Sequence, residues 1–220
     1  NFRKGNQVTP NMIDRAEIVI KRYFDDKGFK NAEVNIIQRD DIAETNSLIL
    51  DINIDKKEKV KVNKIYITGN DALDEKTLKK AMKKTNEKGY WRDFFRPKKF
   101  TDNLYDEDKR LLISKYNEHG YRDAHIVVDS VVPFDDKTVD VFIQVEEGNQ
   151  YHIRSINWVG NTVYESQGLS EVLRMAPGDV YNQKKLDERV QMDDDAIGNL
   201  YYNNGYVFAR VEPVEINVTS

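Results

Sequence analysis

Apolar and polar residues alternate in two short segments that lie 92 residues apart along the chain. Their apolar positions are Ala32, Val34 and Ile36 in the first segment and Ala124, Ile126 and Val128 in the second. A period of two is typical of a β-strand with one buried face. A polar turn follows each segment, at Asp40-Asp41 and at Asp135-Asp136, and a further alternating segment comes after it. Each copy therefore predicts an antiparallel hairpin.

Apolar residues at helical spacing come before three glycines, Gly28, Gly120 and Gly205. These residues lie fifteen, eight and four positions before each glycine. They are Ile13, Ile20 and Phe24 before Gly28, Tyr105, Leu112 and Tyr116 before Gly120, and Val190, Ile197 and Tyr201 before Gly205. Steps of seven and four residues keep side chains on one face of a helix. The spacing predicts three helices, each ended by a glycine at positive φ.

A strand and a shorter helix are predicted ahead of the second of these helices. Residues 60–67 are rich in β-branched side chains and lead into Gly69-Asn70, which indicates a strand that ends in a turn. Asp74 then stands where a helix cap is expected, before an apolar face that contains Leu78 and Met82. A shift of 91 residues places apolar residues at the same positions of a third copy. The order within one copy is strand, helix, helix, strand, strand.

This order predicts an α+β fold made of tandem β-α-α-β-β modules. We expect each module to form a three-stranded mixed sheet covered on one face by two helices, because that arrangement buries every apolar stripe. The third strand is expected at the centre and the second at an edge, where Pro213 of the third copy is tolerated. The predicted modules are 1–57, which lacks its opening strand and first helix, 58–149, which is complete, and 150–220, which lacks its last strand.

The composition argues against several classes of protein. The 220 residues carry a net charge of −4 with acidic and basic residues interleaved, so the chain lacks a strong electrostatic field for duplex nucleic acid. It contains no cysteine, which excludes disulfides and thiolate metal sites. It also contains no run of eighteen apolar residues of the kind that forms a transmembrane helix.

Candidate catalytic and metal-binding groups are few. No glycine-rich phosphate loop and no Gly-x-Ser-x-Gly sequence occurs. Asp193, Asp194 and Asp195 are consecutive; on a helix such residues point about 100° apart, so we interpret them as an exposed helical face. The three histidines are scattered along the chain. We therefore expect no enzyme activity, no metal and no cofactor.

Two sequence motifs recur. Residues 65–70, IYITGN, are repeated as INWVGN at 156–161, and a Gly-aromatic-x-x-Ala-x-aliphatic motif occurs at 28–34, 120–126 and 205–211. With these motifs and the β-α-α-β-β order, the chain resembles consecutive POTRA domains (polypeptide-transport-associated modules). The resemblance is closest to the POTRA domains of the BamA outer-membrane assembly family.

The resemblance implies a role at the periplasmic face of the outer membrane. POTRA domains of this family belong to a protein anchored in the membrane by a C-terminal β-barrel, which is absent here. The implied partners are unfolded outer-membrane proteins, bound by β-augmentation, and accessory assembly lipoproteins. The fragment itself is expected to be monomeric and to bind no nucleic acid.

Two alternatives remain open on the sequence. The POTRA region of a two-partner secretion or TamA-like translocation protein would carry the same motifs. An intracellular repeat protein that binds nucleic acid or another ligand is an alternative of a different class.

The edge strands are the predicted binding sites for client segments. An unpaired edge offers backbone N–H and C=O groups to any extended peptide. The candidate residues are Ala32, Glu33, Val34, Asn35 and Ile36 in the first copy and Ala124, His125, Ile126, Val127 and Val128 in the second. Pro213 removes a donor from the equivalent strand of the third copy, so we expect clients to pair there least.

A second candidate surface is the long segment between the two helices of the second copy. Gly69 and Gly120 of the second copy are 51 positions apart, whereas Gly160 and Gly205 of the third are 45 apart, and the difference lies in this segment. Its basic and aromatic residues are Tyr90, Trp91, Arg92, Phe94, Phe95 and Arg96. Such a mixture is typical of contact with a partner or a membrane surface. The alternative is that the aromatic side chains cover the core of the module.

Overall fold

The structure, a computed structural model, describes residue 5 and residues 7–87 and 99–217. Six α-helices and five β-strands lie within these residues. The helices are α1 (Pro10–Asp26), α2 (Glu75–Ala81), α3 (Asp102–Asn117), α4 (Ser166–Leu173), α5 (Gln183–Asp187) and α6 (Ile197–Asn203). The strands are β1 (Glu33–Asp40), β2 (Leu48–Asp55), β3 (Lys61–Thr68), β4 (His125–Asp135) and β5 (Thr138–Glu146). A short π-helical turn, Glu188–Met192, follows α5.

The strands form two sheets. In the first, β1 pairs antiparallel with β2, with Glu33 opposite Asp55. The second has the order β3-β5-β4, with β5 in the centre and parallel to β3. The last strand of the copy is therefore central and the middle strand lies at an edge, as predicted. The α+β fold class with a three-stranded mixed sheet is confirmed.

One face of the three-stranded sheet is buried and the other faces solvent. On β5 the buried apolar side chains are Val139, Val141, Ile143 and Val145. Phe142 points to the opposite face, where its ring stacks on that of Tyr66 with a centroid distance of 4.8 Å. The apolar run at 141–143 is thus divided between the two faces of the sheet, because successive side chains of a strand point in opposite directions.

All three helices that precede a motif glycine end in the same way. The aromatic residue after the glycine donates its backbone N–H to the carbonyl of an aromatic residue five positions earlier in the chain, a bond characteristic of a Schellman helix end. These bonds are Phe29 to Phe24 at 2.9 Å, Tyr121 to Tyr116 at 3.0 Å and Tyr206 to Tyr201 at 3.0 Å. The two rings of each pair meet edge to face with a centroid distance of 6.1 Å. The motif is therefore a repeated helix stop.

The Gly-Asn sequences close the turn before the first helix of a copy. The side-chain amide of Asn70 donates a hydrogen bond of 3.0 Å to the carbonyl of Leu73. Asn161 donates an equivalent bond of 3.0 Å to the carbonyl of Tyr164. The asparagine is therefore a structural residue in both copies.

The chain divides into two compact units. The first comprises Asn1–Thr68, Glu75–Leu111 and Val128–Gln144, and the second comprises Gly69–Asp74, Leu112–Val127 and Val145–Ser220. Large buried side chains of the first unit include Ile65, Leu78, Met82 and Phe100. In the second unit, a buried cluster is formed by Leu169, Leu173, Met175, Val190, Ile197 and Tyr201.

The third copy has helices but no strand within residues 150–217, although an isolated bridge joins His152 and Val180. The two strands that the repeat predicts for the third copy, one at the INWVGN motif (156–161) and one that contains Pro213 (209–216), are therefore not formed there. In the order β3-β5-β4 both outer strands bond to the central one, and the described part of the third copy offers no central strand. The outer segments consequently have no ladder to join.

The second predicted helix of the third copy is interrupted. It is divided into α5, the π-helical turn and α6, with Asp193, Asp194 and Asp195 in the turn before α6. The interpretation of these aspartates as a helical face is wrong. The predicted stripe nevertheless stays buried, at Val190, Ile197 and Tyr201.

A buried arginine organises this interruption. The Arg189 guanidinium donates to the carbonyl of Val172 at 2.7 Å and to the carboxylates of Asp193 at 3.0 Å and Asp195 at 2.6 Å. This hydrogen bond to Arg189 holds the pKa of Asp195 below its ordinary value. Two of the three aspartates therefore serve as partners of one arginine.

Candidate strand-edge binding site

β4 is an edge strand with a hydrogen-bonded neighbour on one side, β5. It extends to Asp135, seven residues beyond Val128, the last candidate residue named from the sequence, and it contains Pro133. Proline lacks a backbone N–H and is tolerated at a sheet edge. The uninterrupted row of backbone donors in β4 therefore ends at Val132.

The side chains of β4 do not alternate regularly. Val127 is 51% exposed and its neighbour Val128 is 56% exposed, although the period predicted Val128 to be buried. The partly buried positions are Ile126 before this pair and Asp129 after it, so the alternation shifts by one residue. As a result, β4 presents an exposed valine on each face.

Asp129 ties β4 to helix α3. Lys109 of α3 donates to Asp129 at 3.3 Å and to Asp106 at 3.0 Å, and its ammonium lies 4.8 Å from the ring centroid of Tyr105. Burial opposes protonation of Lys109, but the hydrogen bonds to the two carboxylates outweigh it and raise its pKa. This ion-pair cluster fixes the middle of β4 while its outer edge stays open.

The edge of β1 is partly closed by a carboxylate. Oε1 of Glu17, on α1, accepts a hydrogen bond of 2.8 Å from the backbone N–H of Ile36. This N–H therefore points away from β2, along the edge where a client strand would pair. A client would have to displace the carboxylate to reach the middle of β1.

The edge of β3 is closed in the same manner. Glu87 accepts a hydrogen bond of 2.9 Å from the backbone N–H of Ile65 and is held by Lys79 at 2.6 Å. Within the described residues, no side chain accepts a hydrogen bond from a backbone N–H of β4 between His125 and Phe134. β4 thus differs from both β1 and β3.

The predicted client-binding residues fall into two groups. Ala32, Ile36 and Ala124 are buried, so they contribute through their backbone alone. Exposed or partly exposed side chains belong to Glu33, Val34, Asn35, His125, Ile126, Val127 and Val128. Glu17 and Glu87 were missed from the sequence because each contacts a strand about twenty residues away, and no local pattern marks such a contact.

The second predicted surface, with Tyr90, Trp91, Arg92, Phe94, Phe95 and Arg96, lies outside the described residues. In the described ranges, no three His, Cys, Asp or Glu side chains converge on a point where they could hold a metal ion. No helix in these ranges is long and apolar enough to cross a membrane.

Repeated helix stops, a central last strand and an open middle strand define a modular β-α-α-β-β repeat protein. The POTRA family, described as a surface antigen variable number repeat, matches residues 60–148 and 151–219. The chain belongs to the POTRA family. The resemblance seen in the sequence motifs is thereby confirmed.

Curated relatives carry the name of an assembly factor. Outer membrane protein assembly factor BamA of Nitratidesulfovibrio vulgaris is 26% identical over 165 residues, which cover 75% of this chain and 21% of that protein. BamA of Buchnera aphidicola is 24% identical over 173 residues, which cover 76% of this chain and 27% of the relative. The chain therefore spans about a quarter of the length of these relatives.

Solved structures of similar chains include POTRA domains 3–5 of Haemophilus influenzae BamA. That crystal structure is 18% identical, with a TM-score of 0.46, and the match covers 88% of this chain and 73% of the other. The family model and the curated relatives, taken together, define the chain as a POTRA region similar to those of outer membrane assembly factors.

Proposed function

We propose that this chain is the periplasmic POTRA region of an outer-membrane β-barrel assembly protein, and that it binds segments of unfolded outer-membrane proteins. The observation that carries the proposal is the open edge of β4 between His125 and Val132. An extended client segment would join the sheet beside β4 as a fourth strand. The BamA relatives support the assignment to outer-membrane assembly.

Strand addition suits this class of client. Backbone N–H and C=O groups supply the affinity, so the client needs little sequence in common with other clients. Segments of β-barrel proteins alternate apolar and polar side chains. The exposed Val127 and Val128 offer an apolar contact on each face of β4 for the apolar half of such a segment.

The three copies would bind clients in a definite order. β4 comes first because, in the part of the chain that the structure describes, no side chain accepts a hydrogen bond from its backbone N–H groups between His125 and Phe134. β1 follows, since Glu17 competes for the Ile36 N–H. The segment from Ala209 to Ile216 comes last, because it forms no strand and contains Pro213.

Accessory lipoproteins form the second part of the proposal. They would dock on helix faces or on the segment that carries Tyr90, Trp91 and Arg92. The chain itself would act by binding and not as an enzyme, without metal or cofactor.

A titration with a synthetic ten-residue peptide of alternating apolar and polar residues tests strand addition. We expect amide shifts concentrated in 125–132, smaller shifts in 33–40 and none in 209–216. Val127→Lys and Val128→Lys should each weaken binding at least fivefold, because a charge on an edge strand opposes pairing. Ile42→Lys, at an exposed turn, is the matched control and should leave binding unchanged. Stronger shifts in 209–216 than in 125–132 would refute the proposal.

A further inference from the structure

The two variable positions of the Gly-aromatic-x-x-Ala motif differ in chemistry among the three copies. They are Lys30 and Asn31 in the first copy and Arg122 and Asp123 in the second. In the third copy they are Val207 and Phe208. A charged or polar pair is thus replaced by an apolar pair.

In the first copy, the variable pair contacts the copy that follows. The Lys30 ammonium lies 2.7 Å from a carboxylate oxygen of Asp102 and 5.0 Å from the ring centroid of Phe100. The Asn31 amide donates a hydrogen bond of 2.9 Å to the carbonyl of Asp136. The backbone joins the same contact, since Val60 N–H donates to the Gly28 carbonyl at 2.9 Å.

In the second copy, the equivalent pair, Arg122 and Asp123, also contacts the copy that follows. The Arg122 guanidinium lies 4.9 Å from the ring centroid of Tyr181 and forms an ion pair with Glu215. Asp123 accepts a hydrogen bond of 2.7 Å from the Tyr151 hydroxyl. Tyr151 N–H also donates to the carbonyl of Gly120 at 2.9 Å, which reproduces the bond between Val60 and Gly28.

The third copy has the same helix stop at Gly205. The surface around this glycine, equivalent to the contact surfaces at Gly28 and Gly120, is exposed in the described part of the chain. Among the described residues, nothing other than the two chain neighbours of Gly205 lies within 4 Å of the position that its Cβ would take, whereas the same position at Gly120 is crowded by Val180 and Tyr151. Phe208 is 94% exposed, and Val207 is half exposed. Adjacent exposed apolar side chains, at a position that forms a contact in both other copies, indicate an interaction surface.

We propose that Val207 and Phe208 form a docking surface for the next folded element of the same polypeptide, through an apolar contact in place of the charged one. The pair at the variable positions would thereby specify which element can follow each copy. Lys30 and Arg122 accept a neighbour that presents a ring and a carboxylate. Val207 and Phe208 accept an uncharged, apolar neighbour and disfavour a carboxylate, which would be desolvated without a partner.

The occupant is inferred from the repeat itself. In both occupied cases the partner of the variable pair is the next element along the same chain, reached through the backbone bond to the motif glycine. The curated relatives are also several times longer than this chain, which covers 21% and 27% of two of them. A further element of the same polypeptide is therefore the expected neighbour. This inference does not depend on client binding by β4.

Photo-crosslinking in the intact protein, as encoded in the cell, tests the proposal. With p-benzoylphenylalanine in place of Phe208, we expect an intramolecular crosslink to peptides beyond the strand that completes the third copy. The same probe in place of Ile42, an exposed turn residue, is the control and should give no such product. A crosslink confined to that completing strand, to a different protein or to lipid would overturn the proposal, as would the absence of any crosslink.

A charge substitution gives a second readout. Val207→Lys should lower the crosslinking yield from position 208 at least fivefold, because the apolar contact would have to bury an ammonium group. Tyr202→Lys, exposed on α6, should not lower it. The thermal unfolding of residues 1–220 should be the same for both variants, since both side chains are solvent-facing in this chain. An unchanged yield with Val207→Lys would contradict the proposed contact.

Discussion

The carboxylate of Glu17 accepts a hydrogen bond of 2.8 Å from the backbone N–H of Ile36. The contact joins the middle of helix α1 to the outer edge of β1. The carboxylate occupies a backbone donor that a client strand would need. It therefore competes with a client for the edge of β1, whereas the edge of β4 is open. In the β-augmentation that we propose, individual side chains would therefore control access to an edge, in addition to strand order.

Glu17→Ala should open the edge of β1. Loss of a hydrogen bond to a charged acceptor, about 1.5 kcal/mol, should speed amide exchange at Ile36 by roughly tenfold. Peptide-induced shifts in 33–40 should rise toward those in 125–132. Asp14→Ala, at an exposed position of the same helix, is the matched control. Unchanged exchange at Ile36 would show that the carboxylate does not protect this donor.

Gly120→Ala and Gly205→Ala form a matched pair that separates backbone strain from crowding. Both glycines have positive φ, +87° and +91°, so either alanine should cost about 1 kcal/mol of unfolding free energy. At Gly120 the new methyl group would also meet Val180 and the Tyr151 carbonyl, which should add roughly 1–3 kcal/mol. Urea denaturation measures both, and equal losses would contradict the close approach at Gly120.

Arg122→Met should weaken the contact of the second motif with the copy that follows. The variant keeps the apolar stem but loses the ion pair with Glu215 and the cation over Tyr181, together about 1–2 kcal/mol. A double-mutant cycle with Glu215→Gln, followed by urea denaturation, measures the pairwise part. Coupling close to zero would mean that Arg122 is held by its other contacts, with the rings of Tyr181 and Tyr151 and with Asn217.

The ion pair of Asp195 with Arg189 predicts a loss of stability in acid. The hydrogen bond from Arg189 lowers the pKa of Asp195 in the folded state, so its contribution is complete above the ordinary aspartate pKa of 3.8. It is lost as the pH falls through the lower, folded-state value. Asp195→Asn should therefore unfold at a lower temperature than the wild type at pH 6, and the difference should shrink below pH 3.8. A constant difference across this range would contradict the linkage.

Repeats in the sequence predicted the order of elements and the central position of the last strand. The helix stops at Gly28, Gly120 and Gly205 were also predictable, since each depends on residues only four or five positions apart. The period of two misplaced Val128, because it carries no information about the shift in alternation along β4. The consecutive aspartates were misinterpreted since their partner, Arg189, lies on the element before them.

The candidate site was predictable only in part. β4 could be assigned to an edge, but Glu17 and Glu87 reach their strands through the fold, and periodicity does not register such contacts. The variable motif pairs offered a signal that could have been used, because two copies are charged or polar and one is apolar.

The sequence by itself determined the module, its helix stops and its repetition, because these depend on local spacing and on glycine at positive φ. The tertiary structure decided which edge is open, which carboxylate closes another, and what the variable motif residues touch. These features depend on side chains that are far apart in the chain and meet only after the helices and sheets have packed. Local patterns therefore define how each copy folds, and long-range contacts define which of its edges and motif residues stay accessible.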